Sequence, residues 1–501
     1  MQTCYSNCSH ARVRRFTPFC LHSVQIVCTT LIISVFGVVE VDALLVCTGV
    51  FVSTRGLGTW LDQCAMTCQR CKKIFLRTSL TKKCQVSFAS FGTTLYLCLE
   101  FSEIKLQMET FFKSHAYLME HFNAPVRRSL MDTIDWSYRL IGIKGPRGVG
   151  RTSFLLQYAK ENFDVRLRQC LYINLNSFYF QAHGIVDFAG RFMAEGGQVL
   201  LIDQAFKLPD WREQLCECYH KYPYLRIVYT TSSVNMGDGE DETELSSISR
   251  TYVLHGFSFR EYINLETNEN FDAYTFDQLL SDSEQILKTI LPKVHPWHYF
   301  QDYLQHGYYP FFLENHNFTE ALLKAMNNMI EVDLLLNKQI ELKYLSRIKK
   351  LLYLLAIGDP TAPNVSKLAQ EIGTSRATVM NYLKYLEETR LINMVHHPGE
   401  TFPKKPAAIY LHDANLMYAL YENCMTEQTI METYFVNCLW RHHTVNKGKR
   451  LGMFRINNAT NICVCDRARR IRTAADTIYV KYNTDVGREN EIPLWLFGFL
   501  Y

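Results

Sequence analysis

A glycine-rich loop set between an apolar run and a helical pattern constrains this chain most strongly. The loop spans 145–152 and reads Gly-Pro-Arg-Gly-Val-Gly-Arg-Thr, directly after the apolar run 138–143. A helical pattern follows at 152–160. Glycines let backbone N–H groups surround phosphate oxygens, and a helix N-terminus adds partial positive charge. The order strand, loop and helix therefore predicts a phosphate-binding P-loop.

Several residues in and next to the loop are candidate nucleotide ligands, and Thr231, which follows a later apolar run, is a further candidate. This set comprises Gly145, Gly148, Val149, Gly150, Arg151, Thr152, Ser153 and Thr231. The Thr152 hydroxyl is expected on Mg²⁺, so the implied cofactors are ATP and Mg²⁺. Arg151 stands where the motif has Lys. Because its planar fork is larger than an ammonium group, we expect nucleotide binding to survive better than transition-state geometry.

A second motif is the apolar run 198–203, which ends in Asp203. A buried parallel strand that ends in Asp delivers a carboxylate to Mg²⁺, although a buried strand can also end in Asp by chance. A Glu directly after this Asp would activate water for hydrolysis, whereas this chain has Gln204 at that position. Gln can orient a water molecule but cannot take its proton. Gln204 is therefore a candidate catalytic residue in a weakened site.

Two further positions could act on the γ-phosphate. The apolar run 225–229 ends in a cluster of hydroxyl residues, in which Thr231 and Ser232 are candidates for sensing that phosphate. Arg250 lies just before a last strand-like run, 251–254, and could act as an arginine finger in cis or on a neighbouring subunit. The alternative for Arg250 is a solvated surface residue.

Together these motifs resemble prokaryotic, Bacteroidetes-like AAA-type P-loop ATPases fused to a winged helix and a C-terminal domain of unknown function. The matching segments are 141–150, 199–203, 254–262, 363–391 and 491–501. The resemblance implies an α/β fold with a parallel-sheet P-loop core, then a helical region, a winged helix-turn-helix and a small α+β domain. The predicted boundaries are 108–262, 263–342, 343–412 and 413–501.

The winged helix is predicted from two short helical patterns, 363–372 and 375–386, separated by a turn at Gly373. The stretch 391–411 fits a β-wing. The residues that could face DNA are Arg376, Thr378, Asn381, Tyr382 and Lys384. Because Glu387 and Glu388 follow and no dense basic patch accompanies them, packing between domains is the alternative role.

The C-terminal stretch 430–501 alternates strand-like runs with turns, and the resemblance implies a restriction-endonuclease-like core. Asp466 is the one carboxylate in the stretches 452–454 and 464–467, where such an enzyme would carry its acids. A lone carboxylate cannot organise two-metal hydrolysis, so we expect a degenerate domain without nuclease activity.

The first 107 residues differ from the rest of the chain. They hold ten of the 17 cysteines and an apolar run at 24–39, which is short for a membrane span. A signal peptide and a zinc cluster formed by Cys64, Cys68, Cys71 and Cys84 are alternatives. The preferred hypothesis is that translation begins at Met108 and that residues 1–107 are not a native domain.

Three functions fit residues 108–501, for which the sequence predicts a cytoplasmic protein without a membrane segment. The first is a Mg²⁺–ATP-dependent switch with weak or absent hydrolysis, which leaves open whether the chain is an enzyme. The second is a DNA-binding regulator controlled by nucleotide. The third is a non-enzymatic interaction scaffold. A homo-oligomer is a further expectation, because AAA-type domains often assemble in rings.

Overall fold

A five-stranded parallel sheet forms the first half of the described chain. Its strands are β1 (Leu140–Gly145), β2 (Cys170–Asn174), β3 (Val199–Asp203), β4 (Arg226–Ser232) and β5 (Arg250–Val253). Their order across the sheet is β2-β3-β4-β1-β5, and every neighbouring pair is parallel. Continuous apolar runs such as β3 are buried on both faces, which is typical of parallel sheets covered by helices. The predicted α/β P-loop core is confirmed.

Side-chain alternation along the strands divides the apolar core between the two faces of this sheet. Val199 and Leu201 of β3 belong to one cluster, and Leu200 and Ile202 belong to the other. The first face carries the helix Arg151–Asn162, and the second carries the helices 108–121, Ile185–Ala194 and Trp211–Lys221. The helices of this half are α1 (108–121), α2 (Leu130–Thr133), α3 (Arg151–Asn162), α4 (Phe178–Ala182), α5 (Ile185–Ala194), α6 (Trp211–Lys221) and α7 (Glu244–Ile248).

The computed structural model describes residues 108–235, 243–314, 317–338, 340–420, 426–468, 476–487 and 490–501. The candidate zinc ligands, the apolar run at 24–39 and the hypothesis that residues 1–107 are not a native domain concern residues outside this set. Within the described set, no helix combines the length and apolar character that a membrane crossing requires.

A helical region follows the sheet. Its helices are α8 (Phe259–Thr267), α9 (Phe276–Ser281), α10 (Ser283–Ile290), α11 (Pro296–Asp302), α12 (Phe318–Asn328) and α13 (Leu335–Lys338). Two wider, π-helical turns, Tyr303–Gly307 and Met329–Leu334, continue α11 and α12. Such turns shift the side chains that follow them and often occur at functional sites.

Three helices and a hairpin come next. They are α14 (Leu345–Ala356), α15 (Val365–Ile372), α16 (Arg376–Glu388), β6 (Ile392–Val395) and β7 (Ala408–Leu411). Gly373 ends α15 in the left-handed conformation, and the Ser375 side chain caps α16 by accepting a bond from the Thr378 N–H. The antiparallel pairing of β6 with β7 forms the hairpin.

The chain ends in a second sheet. After α17 (Ala414–Leu420) and α18 (Glu427–Leu439) come β8 (Val445–Lys447), β9 (Met453–Ile456), β10 (Thr460–Asp466), β11 (Thr477–Tyr482) and β12 (Glu491–Pro493). The order is β12-β11-β10-β9-β8, with β10, β11 and β12 parallel. Asp466, at the end of β10, accepts a 2.7 Å hydrogen bond from Asn483. Among the described residues, no group of three or more His, Cys, Asp or Glu side chains could hold a metal ion.

A buried ionic contact joins the hairpin to this sheet. Glu432 of α18 accepts a 2.5 Å bond from the Tyr410 hydroxyl of β7 and a 2.9 Å bond from the Lys447 ammonium group of β8. Glu432 is 1% exposed, so the ammonium and hydroxyl donors offset the desolvation of its charge.

Candidate functional site

The loop between β1 and α3 has the backbone conformation that its glycines predict. Gly148 and Gly150 have φ values of 87° and 93°, in the left-handed region that other residues rarely adopt. Gly150 directly precedes the first residue of α3, Arg151. The N-terminus of a twelve-residue helix therefore faces the loop, and its free N–H groups and dipole favour an anion there.

Thr152 and Asp203 lie together beside this loop. The Thr152 hydroxyl donates a 2.7 Å hydrogen bond to Oδ2 of Asp203, which is 1% exposed. A hydroxyl that gives its proton to a carboxylate keeps its own lone pairs for another partner. Both groups offer oxygen atoms, which Mg²⁺ prefers, so the residues present fit this ion.

The two strands beside β3 hold the Asp203 carboxylate in place. The Tyr172 hydroxyl donates to it at 2.9 Å, the Thr230 hydroxyl at 2.5 Å and the Asn174 amide at 3.3 Å. Burial, and then the negative charge of Asp203, raise the pKa of Tyr172 far above its ordinary range, so its hydroxyl stays a donor. These contacts fix the carboxylate at the carboxyl edge of the sheet, next to Thr152.

Arg151 lies among polar groups at the same edge. Its guanidinium donates to the backbone carbonyl of Thr231. Burial lowers the pKa of Arg151, whereas the Asp333 and Asp203 carboxylates raise it. An Arg side chain remains charged under these conditions, so the site holds a desolvated cation beside the loop.

A carboxylate from the helical region also reaches the loop. Arg147 donates from Nε and Nη2 to Oδ1 of Asp333, at 2.9 and 2.7 Å. The Ser232 hydroxyl donates to Oδ2 of Asp333 at 3.2 Å. Asp333 is 1% exposed and lies in the π-helical turn Met329–Leu334. The Asp333 carboxylate therefore lies beside the loop, where Arg147 would otherwise be able to pair with a phosphate.

Aromatic residues cover the loop from the same region. A Cβ atom on Gly148 would lie 2.6 Å from the Phe311 ring and 3.3 Å from the Tyr309 ring, and one on Gly150 would lie 3.7 Å from Pro310. The rings of Tyr309 and Phe311 are nearly parallel, with centroids 5.9 Å apart. The segment 309–311 and Asp333 together are named the cover of the loop.

The cover is linked to a buried carboxyl group whose ionisation state changes near neutral pH. The Tyr309 hydroxyl donates to Asp413 at 3.1 Å, and Asp413 is 2% exposed. Burial raises the pKa of Asp413 from its ordinary value of 3.8 to about 7. Because the folded-state pKa is the higher one, Asp413 contributes stability that is complete below 3.8 and lost as the pH rises through 7.

Replacing Asp413 with Asn is therefore expected to stabilise the protein at pH 8 relative to wild type, and to stabilise it by a smaller amount at pH 5. Asn keeps the shape and stays neutral, so it removes the free energy of ionising a buried acid, at most about 4 kcal/mol. Melting temperatures of both proteins from pH 5 to 8 measure this. A difference between them that does not change with pH contradicts it.

Some predicted site residues lie elsewhere. Thr231 offers its carbonyl group to Arg151, and alternation along β4 places the hydroxyls of Thr230 and Ser232 on the face of Asp203 and Asp333 instead. Ser153 is an exposed residue of the first turn of α3.

Arg250 cannot act on its own loop. It pairs with Ile141 at the start of β1, whereas the loop follows Gly145 at the other end of that strand. Four residues of strand span roughly 13 Å. The prediction of an arginine finger in cis is therefore wrong, and an action on a neighbouring subunit stays a prediction.

Gln204 directly follows Asp203 and adopts a left-handed conformation with φ 55°. Its backbone N–H bonds to Oδ1 of Asp203 at 3.0 Å and to the Thr230 hydroxyl at 2.9 Å. Gln204 therefore lies at the edge that carries the candidate Mg²⁺ ligands, as predicted from its place in the sequence.

Comparison with known families agrees with this geometry. A family model described as an AAA domain matches residues 137–263, which include the whole parallel sheet, the loop and Asp203. Residues 137–263 are therefore similar to an AAA domain, and this segment is called the AAA domain below. A second model, described as a domain of unknown function (DUF8612), matches residues 298–424. This second match contains the cover and the hairpin, and it crosses the predicted boundaries at 342 and 412.

Similar proteins add little beyond the AAA domain. An uncharacterized protein of Methanocaldococcus jannaschii is 23% identical over 273 residues, which are 52% of this chain and 57% of that protein. The chain thus spans little more than half the length of this relative.

Two solved structures show low overall similarity. The replication initiator DnaA bound to AMPPCP and single-stranded DNA is 13% identical, with a TM-score of 0.23, over 54% of this chain and 92% of that one. PCH-2 of C. elegans is 16% identical, with a TM-score of 0.22, over 57% of this chain and 69% of that one. TM-scores this low do not establish a shared fold, so the assignment depends on the family match and the loop geometry.

Proposed function

We propose that the AAA domain binds Mg²⁺–ATP and acts as a nucleotide-dependent switch with weak or absent hydrolysis. The observation that carries the proposal is the meeting of four groups at one edge of the sheet. These are the left-handed glycines of the loop, the N-terminus of α3, the Arg151 cation and the Thr152–Asp203 pair. Each of these groups favours a polyanion or its counterion.

Thr152 and Asp203 would hold the Mg²⁺ ion. A bound Mg²⁺ would offset phosphate charge at the loop. The Ser232 hydroxyl bonds to Asp333, which also accepts bonds from Arg147 of the loop. Ser232 is therefore a better candidate than Thr231 for sensing the γ-phosphate. The loop residues Gly145, Gly148, Val149 and Gly150 would surround the phosphates with backbone N–H groups.

The proposed switch element is the cover. Asp333 neutralises Arg147, and residues 309–311 pack on the loop glycines, so phosphate binding requires these groups to move or to share their partners. The cover lies within the DUF8612 match, which makes this region the proposed receiver of the nucleotide signal. A ligand shifts such an equilibrium only by its differential affinity for the two states.

Hydrolysis is expected to be limited by two residues. Gln204 can orient water but cannot accept its proton, and Arg151 replaces the compact charge of a lysine. The double variant Arg151→Lys, Gln204→Glu is expected to raise ATP turnover at least tenfold over wild type, an order-of-magnitude estimate from the usual contribution of a general base. Phosphate release at saturating Mg²⁺–ATP measures this.

A triple variant is the control for this experiment. Adding Asp203→Asn to the double variant is expected to abolish the gain, because the Mg²⁺ ligand is lost. If the double variant binds ATP as tightly as wild type and still shows no gain, the idea that these two residues limit hydrolysis is wrong.

The winged helix, 343–412, is proposed to serve domain packing first. Tyr382 was predicted to face DNA, but it is 5% exposed and belongs to the core, so that prediction is wrong. Lys384 lies 3.7 Å from Glu387, and α16 contacts the segment Ser233–Asn235 of the AAA domain.

Several other expectations stay predictions. DNA binding is one, and the exposed side chains Arg376 and Asn381 at the start of α16 are its remaining support. The homo-oligomer, the cytoplasmic location and the remaining domain boundaries, 108–262, 263–342 and 413–501, are proposed unchanged.

A further inference from the structure

A large cavity lies where the AAA domain, the end of α16, the hairpin and the end of α18 meet. Its volume is about 940 Å³, within the range of small-molecule sites. No residue of the loop 145–152 lines it. Its lining includes Arg128, His255 of the AAA domain, Trp440 and Arg441 after α18, and Tyr501.

Most carboxylates around the cavity are already matched by a cation. Glu261 bonds to Arg128 at 3.2 Å, and Glu388 lies 2.8 Å from Lys338. Although burial raises the pKa of Glu261, Arg128 and the N–H groups of Ser129 and Ser258 lower it to about 2, so this pair is ionic. The Arg441 guanidinium at the wall has no such carboxylate partner among the described residues.

Arg441 and its neighbours present hydrogen-bond donors that nothing in the described residues accepts. Nε and Nη2 of Arg441 are buried without a partner among the described residues, and so are Nε1 of Trp440 and the hydroxyl of Tyr501. A buried donor without an acceptor is destabilising by about 1–3 kcal/mol, and more for a charged group. Donors collected at one cavity therefore indicate a missing acceptor.

The imidazole of His255 lies in the same positively charged surroundings. Burial, followed by the charges of Arg441, His412, Arg390 and Arg128, lowers the pKa of His255 well below its ordinary value. His255 is therefore neutral at pH 7, and its neighbourhood favours an added negative charge.

We propose that this cavity binds a small molecule through an oxyanion, phosphate or carboxylate, held by the Arg441 guanidinium and the Trp440 indole N–H. Charge-assisted bonds from a planar guanidinium are the ones that recognise such groups best. A free inorganic ion would fill only a part of 940 Å³, so the natural ligand carries a larger body. The site is separate from the proposed ATP site.

Arg128 connects the two sites. Its Nη1 donates to the Val149 carbonyl of the phosphate loop at 3.1 Å, and its Nη2 donates to the His255 and Gly256 carbonyls at the cavity edge, at 2.7 and 3.1 Å. A ligand that displaces His255 would thus act on the loop through one side chain.

Fluorescence of Trp440 tests the proposal in the full chain. Inorganic pyrophosphate and citrate are titrated separately, and the Trp440 signal is the part of the emission change that is absent in Trp440→Phe. A saturable change with either probe supports the site, and the probe that acts identifies the phosphate or the carboxylate chemistry. A wild-type protein that responds saturably to neither probe overturns it.

Four variants locate the binding. Arg441→Met is expected to weaken the response at least tenfold. The matched control is Arg450→Met, which removes an exposed arginine nine positions along the chain that does not line the cavity, and it is expected to leave the response unchanged. Thr152→Ala is expected to leave it unchanged as well, since it affects the ATP site alone. If Arg441→Met does not fold, Arg441→Lys decides, with a weaker response expected because the fork is lost. A response that survives both Arg441 variants, or that disappears in Thr152→Ala, overturns the proposal.

Discussion

Replacing Arg151 with Met is expected to weaken Mg²⁺–ATP binding by at least tenfold. The guanidinium lies desolvated at the start of α3, and both Asp203 and Asp333 act on it electrostatically. A hydrogen bond to a charged group contributes about 1.5–3 kcal/mol, which corresponds to roughly 10- to 150-fold in affinity. Titration calorimetry with Mg²⁺–ATP measures the change.

The control for this variant is Arg166→Met, which removes an exposed arginine that follows α3 in the chain. It is expected to bind ATP as wild type does. Melting temperatures without nucleotide show whether each variant is folded. Unchanged ATP affinity in folded Arg151→Met would place the phosphates away from this residue.

Replacing Asp333 with Asn is expected to raise ATP affinity about tenfold. The change removes a negative charge that Arg147 and Ser232 now hold beside the phosphate loop, and it retains the size of the side chain. A like charge near a polyanion in a partly buried site opposes binding by on the order of 1 kcal/mol or more. The variant is also expected to melt lower without ATP, because Arg147 loses its ionic partner.

Glu331→Gln is the matched control for Asp333→Asn. Glu331 lies in the same π-helical turn, but it is about half exposed and pairs with Lys349 on the surface. Such a surface pair contributes little, so neither ATP affinity nor stability should change measurably. Equal ATP affinity in Asp333→Asn, Glu331→Gln and wild type would show that Asp333 does not compete with the nucleotide.

The sequence predicted most of the parallel sheet because its strands are continuous apolar runs. The predicted run 198–203 corresponds to β3 (Val199–Asp203), and the run 225–229 corresponds to β4 (Arg226–Ser232). β2 was not predicted, although its Tyr172 and Asn174 hold Asp203. Pairing between strands distant in sequence, rather than local pattern, decides such contacts.

The candidate site was predictable where it is local. Gly148, Gly150, Thr152 and Asp203 follow from motifs that fix both conformation and chemistry. The choice of Thr231 failed because a cluster of hydroxyl residues does not show which of them faces the site until the register of β4 is known.

Asp333 could not be predicted from the sequence, since 186 positions separate it from Arg147 and no motif surrounds it. The Arg250 expectation had a related weakness. The distance of Arg250 from the loop depends on which end of β5 this residue occupies. That position does not follow from its being close to a strand in the sequence.

Calorimetric titration of the full chain with ATP in the presence of Mg²⁺, in wild type and Asp333→Asn side by side, tests whether the loop 145–152 binds nucleotide. We expect saturable binding in both proteins, tighter in the variant and weakened when Mg²⁺ is omitted. Two folded proteins that both fail to bind ATP would contradict the assignment of residues 145–152 as a working phosphate loop.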